Sequence, residues 1–335
     1  MTPATEISPG QEFAASVIRR TFLRAASSRF LTDLMTVQRR SGVSAAIRAR
    51  DSKGLFSWLM TILSYQGISD RVAEQFIDQH GQIEWRDVEE ILRSPQCPKL
   101  TSYWQFEGCN YRKGRHVCSR PDLIEGCGLP RRALRNGRLN QTAVSLFLFI
   151  RDIADGDLVG WLDDRLLAHA DQPTFARCAA LIEPMRSIYG VSDKLLSMLL
   201  SVMLLGTGRR QRLWFETGAT FVVVDTLVHN YLHRTGILAA LAADHAYGPG
   251  CYGPTGCAEI IQSAARQIDA RIFGERLPGY FPRFVQHAIW RFCAMDGLDI
   301  CNGNRVDDRN PCQNRHCSEF TICRRQPLLT KKASK

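Results

Sequence analysis

Apolar residues recur every three to four positions along most of this chain, and strict alternation of apolar and polar residues is rare. That periodicity predicts an all-α protein. Positions 11–50 read as helical, with Phe13, Val17, Phe22 and Leu23 near one face. Asp51 and Ser52 are helix-start residues, and an apolar helix follows over 55–63. Further helices are predicted through Ile77 and over 85–92, 140–153, 158–169, 175–188 and 195–205. The apolar run 221–224 leads into Asp225 and Thr226, a good N-cap pair, which opens a helix through His233. Two more helices cover 258–271 and 281–295. Residues 94–137 break the pattern with Pro95, Pro98, Pro121, Pro130 and several glycines. Residues 206–220 read as a Gly- and Arg-bearing connector, 248–256 as a Gly/Pro loop, 1–10 as disordered and 326–335 as a basic tail.

Length and charge narrow this picture. The 335 residues suit one large domain or two ordinary ones. The net charge of +10 favours polyanionic partners, nucleic acid first, although Arg324, Arg325 and the terminal lysines supply half of it. No run of 18 apolar residues exists, so no membrane span is expected, and the N-terminus has no signal-peptide core. A cytoplasmic, nucleoid-associated monomer is the expectation. Twelve cysteines are many for such a protein, and they cluster in 97–127 and 301–323. Without a secretion signal, metal binding explains them better than disulfides.

Four residues carry candidate chemistry. Gly190 and Ser192 lie in a tight turn ahead of the 195–205 helix, where outward N–H groups suit a phosphate. Lys194 opens that helix; a neutral amine there can attack a sugar carbon and form a Schiff base, while the bland reading is a lysine reaching solvent. Asp225 at a helix N-terminus can stabilise an oxocarbenium-like sugar as a base departs, or act as a plain N-cap.

The segment 189–194, Tyr-Gly-Val-Ser-Asp-Lys, followed by 223–229, Val-Val-Asp-Thr-Leu-Val-His, resembles the helix-hairpin-helix and catalytic-aspartate signature of endonuclease III-like DNA glycosylases, the HhH-GPD superfamily. The family pattern is Leu-Pro-Gly-Val-Gly-x-Lys, then Val-Asp-Thr-His. The resemblance covers roughly residues 55–325. It implies that Lys194 is the Schiff-base lysine and Asp225 the catalytic aspartate. Residues 63–70 are similar to the family segment whose glutamine fills the space left by the extruded nucleotide, which gives that role to Gln66. Residues 140–143 resemble the segment that opens a later barrel helix. Three features depart from the family: Ser192 replaces the second hairpin glycine, Tyr189 replaces the proline, and the spacing of 31 between Lys194 and Asp225 is long. The implied activity is excision of a damaged base flipped from double-stranded DNA, with AP lyase action by β-elimination. The alternatives are a catalytically silent DNA-binding protein on the same scaffold and a metal-stabilised protein-interaction module.

Cys301, Cys312, Cys317 and Cys323 close the chain with ten, four and five residues between them. Thiolates so grouped bind a metal or an iron–sulfur cluster, and zinc prefers tighter pairs. The family's 4Fe–4S motif is Cys-x6-Cys-x2-Cys-x5-Cys; the last interval matches and the first two are expanded. The resemblance therefore implies a structural 4Fe–4S cluster presenting Arg305, Arg309 and Arg315 to phosphates. Cys293, on the preceding helix, reads as core. Cys97, Cys109, Cys118 and Cys127, spaced by eleven, eight and eight residues, match no zinc motif. They leave three readings open: a second metal site (zinc, with His116 as a substitute ligand), a metal-free loop that contacts DNA, or a packing insert. Cys251 and Cys257 receive no role. The expected domains are N-terminal helices 11–52 packed on the cluster lobe, a six-helix barrel over 53–207 that holds the helix-hairpin-helix, and an iron–sulfur lobe over 208–325.

Overall fold

Ser8 starts the first helix. Its hydroxyl accepts the Gln11 N–H, and the Gln11 side chain accepts the Ser8 N–H in return, with Pro9 at the first helical position. Residues 7–10 are thus ordered, which corrects the expectation of disorder through residue 10. A computed structural model describes residues 7–65, 70–106, 109, 118, 122, 127, 129, 139–207, 211–303 and 305–329. Gln66, His116 and the end of the basic tail lie outside the described residues.

The described chain is all-α, without a strand. In order the helices are α1 (Pro9–Ala25), α2 (Phe30–Arg40), α3 (Val43–Arg48), α4 (Ser52–Ser64), α5 (Asp70–His80), α6 (Trp85–Leu92), α7 (Tyr103–Phe106) and α8 (Leu139–Leu148). They continue as α9 (Leu158–Ala168), α10 (Thr174–Met185), α11 (Asp193–Gly206), α12 (Arg212–Thr220), α13 (Thr226–Thr235), α14 (Ile237–Ala240), α15 (Cys257–Ala265) and α16 (Pro282–Cys293). A π-turn, Phe149–Ile153, extends α8. No described helix is long and apolar enough to cross a membrane.

The chain divides into two compact units, Met1–Asp33 with Glu216–Lys335, and Leu34–Phe215. The sequence pattern placed the divisions at 52/53 and 207/208. The first shifts because Gln38 on α2 donates to the Val202 and Met203 carbonyls of α11, which commits α3 and most of α2 to the second unit.

In the Leu34–Phe215 unit, every side chain of α8 is buried, and α4, α6 and α7 lie against it. Phe56, Trp85 and Phe147 form one aromatic run, with centroid separations of 5.6 and 4.1 Å. Burial of Phe56 and Phe147 contributes about 1.5–3 kcal/mol each. The expected connector 206–220 contains α12 instead. Trp214, 2% exposed, donates its indole N–H to Asp163 at 2.7 Å, and this contact distant in sequence fixes a helix that local composition conceals.

In the other unit, α1 lies against α14, α15 and α16. Phe22 meets Phe273 and Phe284 edge-on at 5.1 and 5.2 Å. The Tyr231 hydroxyl pairs with Thr21 Oγ1 at 2.6 Å inside this core. Arg20 holds the buried Glu319 at 3.1 Å, tying α1 to the cysteine-rich end. That end is not free: the Gln326 N–H donates to the Arg234 carbonyl, and Arg324 and Arg325 stack over Phe13 and Phe320. Gln326–Leu329 therefore belong to the fold rather than to a solvated tail.

Candidate metal centres

Asp225 and the residues around it form the chemically richest part of the Met1–Asp33/Glu216–Lys335 unit. The extended segment 221–224 delivers Asp225 to the N-cap of α13, where its carboxylate accepts the Val228 N–H at 2.9 Å. Asp225 is half-buried. Burial, with the charge of Asp225 second, pushes the Tyr247 phenol up. Burial pulls the Arg283 guanidinium down to about 10, opposed by Tyr252 and Asp225. The Tyr252 hydroxyl accepts the Val224 N–H at 2.8 Å. Asp225 thus sits in the field of two phenols and a guanidinium, at the positive end of a helix.

One turn further along α13, His229 faces inward at 5% exposure. Its Nδ1 lies 3.4 Å from Cys257 Sγ and 3.5 Å from Cys251 Sγ. His245 Nε2 lies 3.4 Å from Cys257 Sγ, and His245 Nδ1 lies 2.7 Å from the Ala243 carbonyl. All four donor atoms fall within 4.8 Å of one another. This His2Cys2 group could bind a metal ion, and among the described residues it is the one group of three or more His, Cys, Asp or Glu donors so close together. The hydrogen bond with the Cys257 thiol, then those with His229, the Gly248 N–H and His245, pull Cys251 down to about 3 against its burial, while the same hydrogen bond and burial push Cys257 up.

The four C-terminal cysteines make a second arrangement. Cys301, Cys312, Cys317 and Cys323 line a single recess, together with Tyr231, Arg234 and Phe292. Burial, and then the charges of the other three, push Cys323 up to about 12. The Cys293 thiol hydrogen-bonds to Cys301 and pulls it down to about 7. Cys293 is fully buried, as core placement requires, and its thiol reaches Cys301. Arg234, 3% exposed, pairs with Asp308 and donates to the Cys301 carbonyl at 3.2 Å. Around the recess Arg305, Arg309 and Arg315 are exposed, Arg305 held by Asp299 at 2.7 Å. Comparison with protein-family models, curated proteins and solved structures gives no match.

Lys194 belongs to the other unit. It is half-buried in the first turn of α11, where Ser192 is the N-cap. Helices α10 and α11 form a helix–turn–helix with Gly190 and Ser192 exposed at its tip. Gly190 takes φ +75°, and the Tyr189 carbonyl accepts the Thr142 hydroxyl at 2.8 Å. Arg186 clamps Asp193 through two hydrogen bonds of 2.9 and 2.8 Å, which pins the turn. Ser197 and Ser201, three and seven positions after Lys194 on the same helix, are buried. Of the insertion cysteines, Cys97 precedes a short 3-10 turn, Cys109 is buried with its carbonyl accepting Gln141 Nε2 at 3.2 Å, and Cys118 and Cys127 are half-buried.

The sequence pattern missed the His2Cys2 group. The intervals from His229 to His245, Cys251 and Cys257 are fifteen, five and five residues, with no Cys-x2-Cys. The available signal was three donors within thirteen residues around a Gly/Pro loop.

Proposed function

We propose that this chain is a base-excision DNA glycosylase of the helix-hairpin-helix, endonuclease III-like type, with a 4Fe–4S cluster on Cys301, Cys312, Cys317 and Cys323. The observation that carries the reading is the ring of four cysteines around one recess. Four thiolates gathered at one recess are the ligand set that a polynuclear iron–sulfur cluster takes. When bound, the cluster supplies a fixed scaffold. The exposed Arg305, Arg309 and Arg315 then serve the DNA backbone.

In this reading the carboxylate of Asp225 supports cleavage of the bond between C1′ and the base, the base leaving with the bonding electrons. The Lys194 amine adds to C1′, loses a proton and gives a Schiff base as the sugar ring opens. Loss of the proton at C2′ then expels the 3′ phosphate. The turn at Gly190 and Ser192 would lie against a backbone phosphate at the N-terminus of α11. Gln66 would occupy the gap left by the extruded nucleotide. The protein acts on double-stranded DNA as a monomer.

The test is a panel of duplexes carrying single lesions, incubated with wild type, Asp225→Asn and Lys194→Ala, together with borohydride trapping on abasic DNA and the visible spectrum of anaerobically purified protein. Base release that Asp225→Asn abolishes, and a trapped adduct that Lys194→Ala abolishes, support the reading. Tight DNA binding with no base release from any lesion favours a silent scaffold. A colourless, iron-free protein contradicts the cluster.

A further inference from the structure

The reaction proposed above does not use His229, His245, Cys251 or Cys257. We infer that these four residues bind one zinc(II) ion, and that the ion fastens the loop carrying Tyr247 and Tyr252 to the helix that Asp225 opens. This inference is independent of the glycosylase reading.

The donor set selects the metal. Two thiolates and two imidazoles suit a borderline-soft divalent ion, and exclude magnesium and calcium, which take oxygen ligands. The geometry selects tetrahedral coordination. A zinc ion with Zn–S of about 2.3 Å and Zn–N of about 2.05 Å sets its N···S edges at about 3.6 Å. Three of the four N···S separations here are 3.4, 3.5 and 3.4 Å. An iron–sulfur cluster does not fit donors drawn this close.

The surroundings select a structural role. Four protein donors leave no open position for water or substrate, and His229, Cys251 and Cys257 are buried. The Nδ1–H of His245 donates to the Ala243 carbonyl at 2.7 Å, which turns the Nε2 lone pair towards Cys257. Such an outer hydrogen bond fixes the tautomer of a ligating histidine. The donors come from α13, from the coil after α14, from the 3-10 turn Pro249–Tyr252 and from the first residue of α15. One ion therefore cross-links four pieces of chain. Cys251 is followed at once by Tyr252, whose hydroxyl holds the residue before Asp225.

Elemental analysis of the full-length protein, grown with both zinc and iron supplied, tests this. About one zinc per chain is expected, whatever the iron content. In the double variant Cys251→Ser/Cys257→Ser zinc should fall to background while iron stays at the wild-type level. Because that variant can fail to fold, wild-type protein stripped of zinc and reloaded with cobalt(II) provides a second measurement. Intense visible bands of tetrahedral cobalt and a thiolate charge-transfer band are expected. Zinc-free wild type that also gives no tetrahedral cobalt spectrum overturns the inference. So does a mass lower by two hydrogens from a Cys251–Cys257 disulfide, or a double variant that keeps its zinc.

Discussion

The phenol oxygen of Tyr252 accepts the backbone N–H of Val224 at 2.8 Å. Val224 is fully buried, so this N–H has no water to turn to when the phenol is lost. The bond joins the cysteine-bearing loop to the residue before Asp225, which makes the placement of the carboxylate depend on a side chain some thirty positions later. Tyr252→Phe keeps the ring and removes the acceptor. It should destabilise this unit by about 1–3 kcal/mol, the cost of an unsatisfied buried donor. Urea unfolding monitored alongside zinc content checks this: the midpoint should fall while zinc per chain is unchanged.

Gly190 and Gly42 allow strain and crowding to be separated. Their φ angles are nearly the same, +75° and +76°. A Cβ on Gly42 meets nothing within 4 Å, whereas one on Gly190 lies 3.1 Å from Thr142 Oγ1. Alanine at either position costs roughly 1–2 kcal/mol for the left-handed backbone. Gly190→Ala should cost more than Gly42→Ala, because Thr142 must move and its hydrogen bond to the Tyr189 carbonyl weakens. Equal losses of stability for the two variants would mean that Thr142 yields freely. If the turn binds phosphate, only Gly190→Ala should also weaken DNA binding.

Where local chemistry and local burial agree, the elements were legible in the sequence. Asp51 caps α4 with its side chain accepting the Lys53 and Gly54 N–H groups, and 85–92 is a helix with the predicted ends. The fold departs from local reading where a contact distant in sequence decides. The glycines and arginines of 206–220 look like a connector, but the indole of Trp214 finds Asp163 and a helix forms. The C-terminal cysteines were legible because they crowd one stretch. His229 was not, because on its own helix it is an ordinary inward-facing residue, and only the return of the 245–257 loop gives it partners.

His287 should make the protein acid-sensitive. Its ring stacks on Trp290 at 5.6 Å and meets Phe30 at a tilt at 4.6 Å. Burial, followed by the charges of Arg283 and Arg291, lowers it from 6.5 to about 3. In the unfolded chain the imidazole takes a proton near pH 6.5, and in the folded chain only near 3. Between those values unfolding takes up a proton, so acid favours it. The contribution to stability is complete above about pH 6.5 and is lost as the pH falls towards 3. Near pH 4.5 the loss is about 2–3 kcal/mol. His287→Phe removes the titration, and its stability should change correspondingly less between pH 7 and pH 4.5 in parallel denaturant melts.

Asp225 has two separable duties. As N-cap of α13 it accepts the Val228 N–H, a role that asparagine performs as well and alanine does not. As a carboxylate it would support departure of the base, a role that neither neutral residue performs. Asp225→Asn should therefore melt close to wild type, and Asp225→Ala should lose about 1 kcal/mol. Both should lose at least about 100-fold in single-turnover base release, the scale of removing a preorganised electrostatic partner of the transition state. If Asp225→Asn instead keeps its rate while Asp225→Ala loses it, the residue acts through the helix it caps, and the base-departure chemistry must be sought in another group.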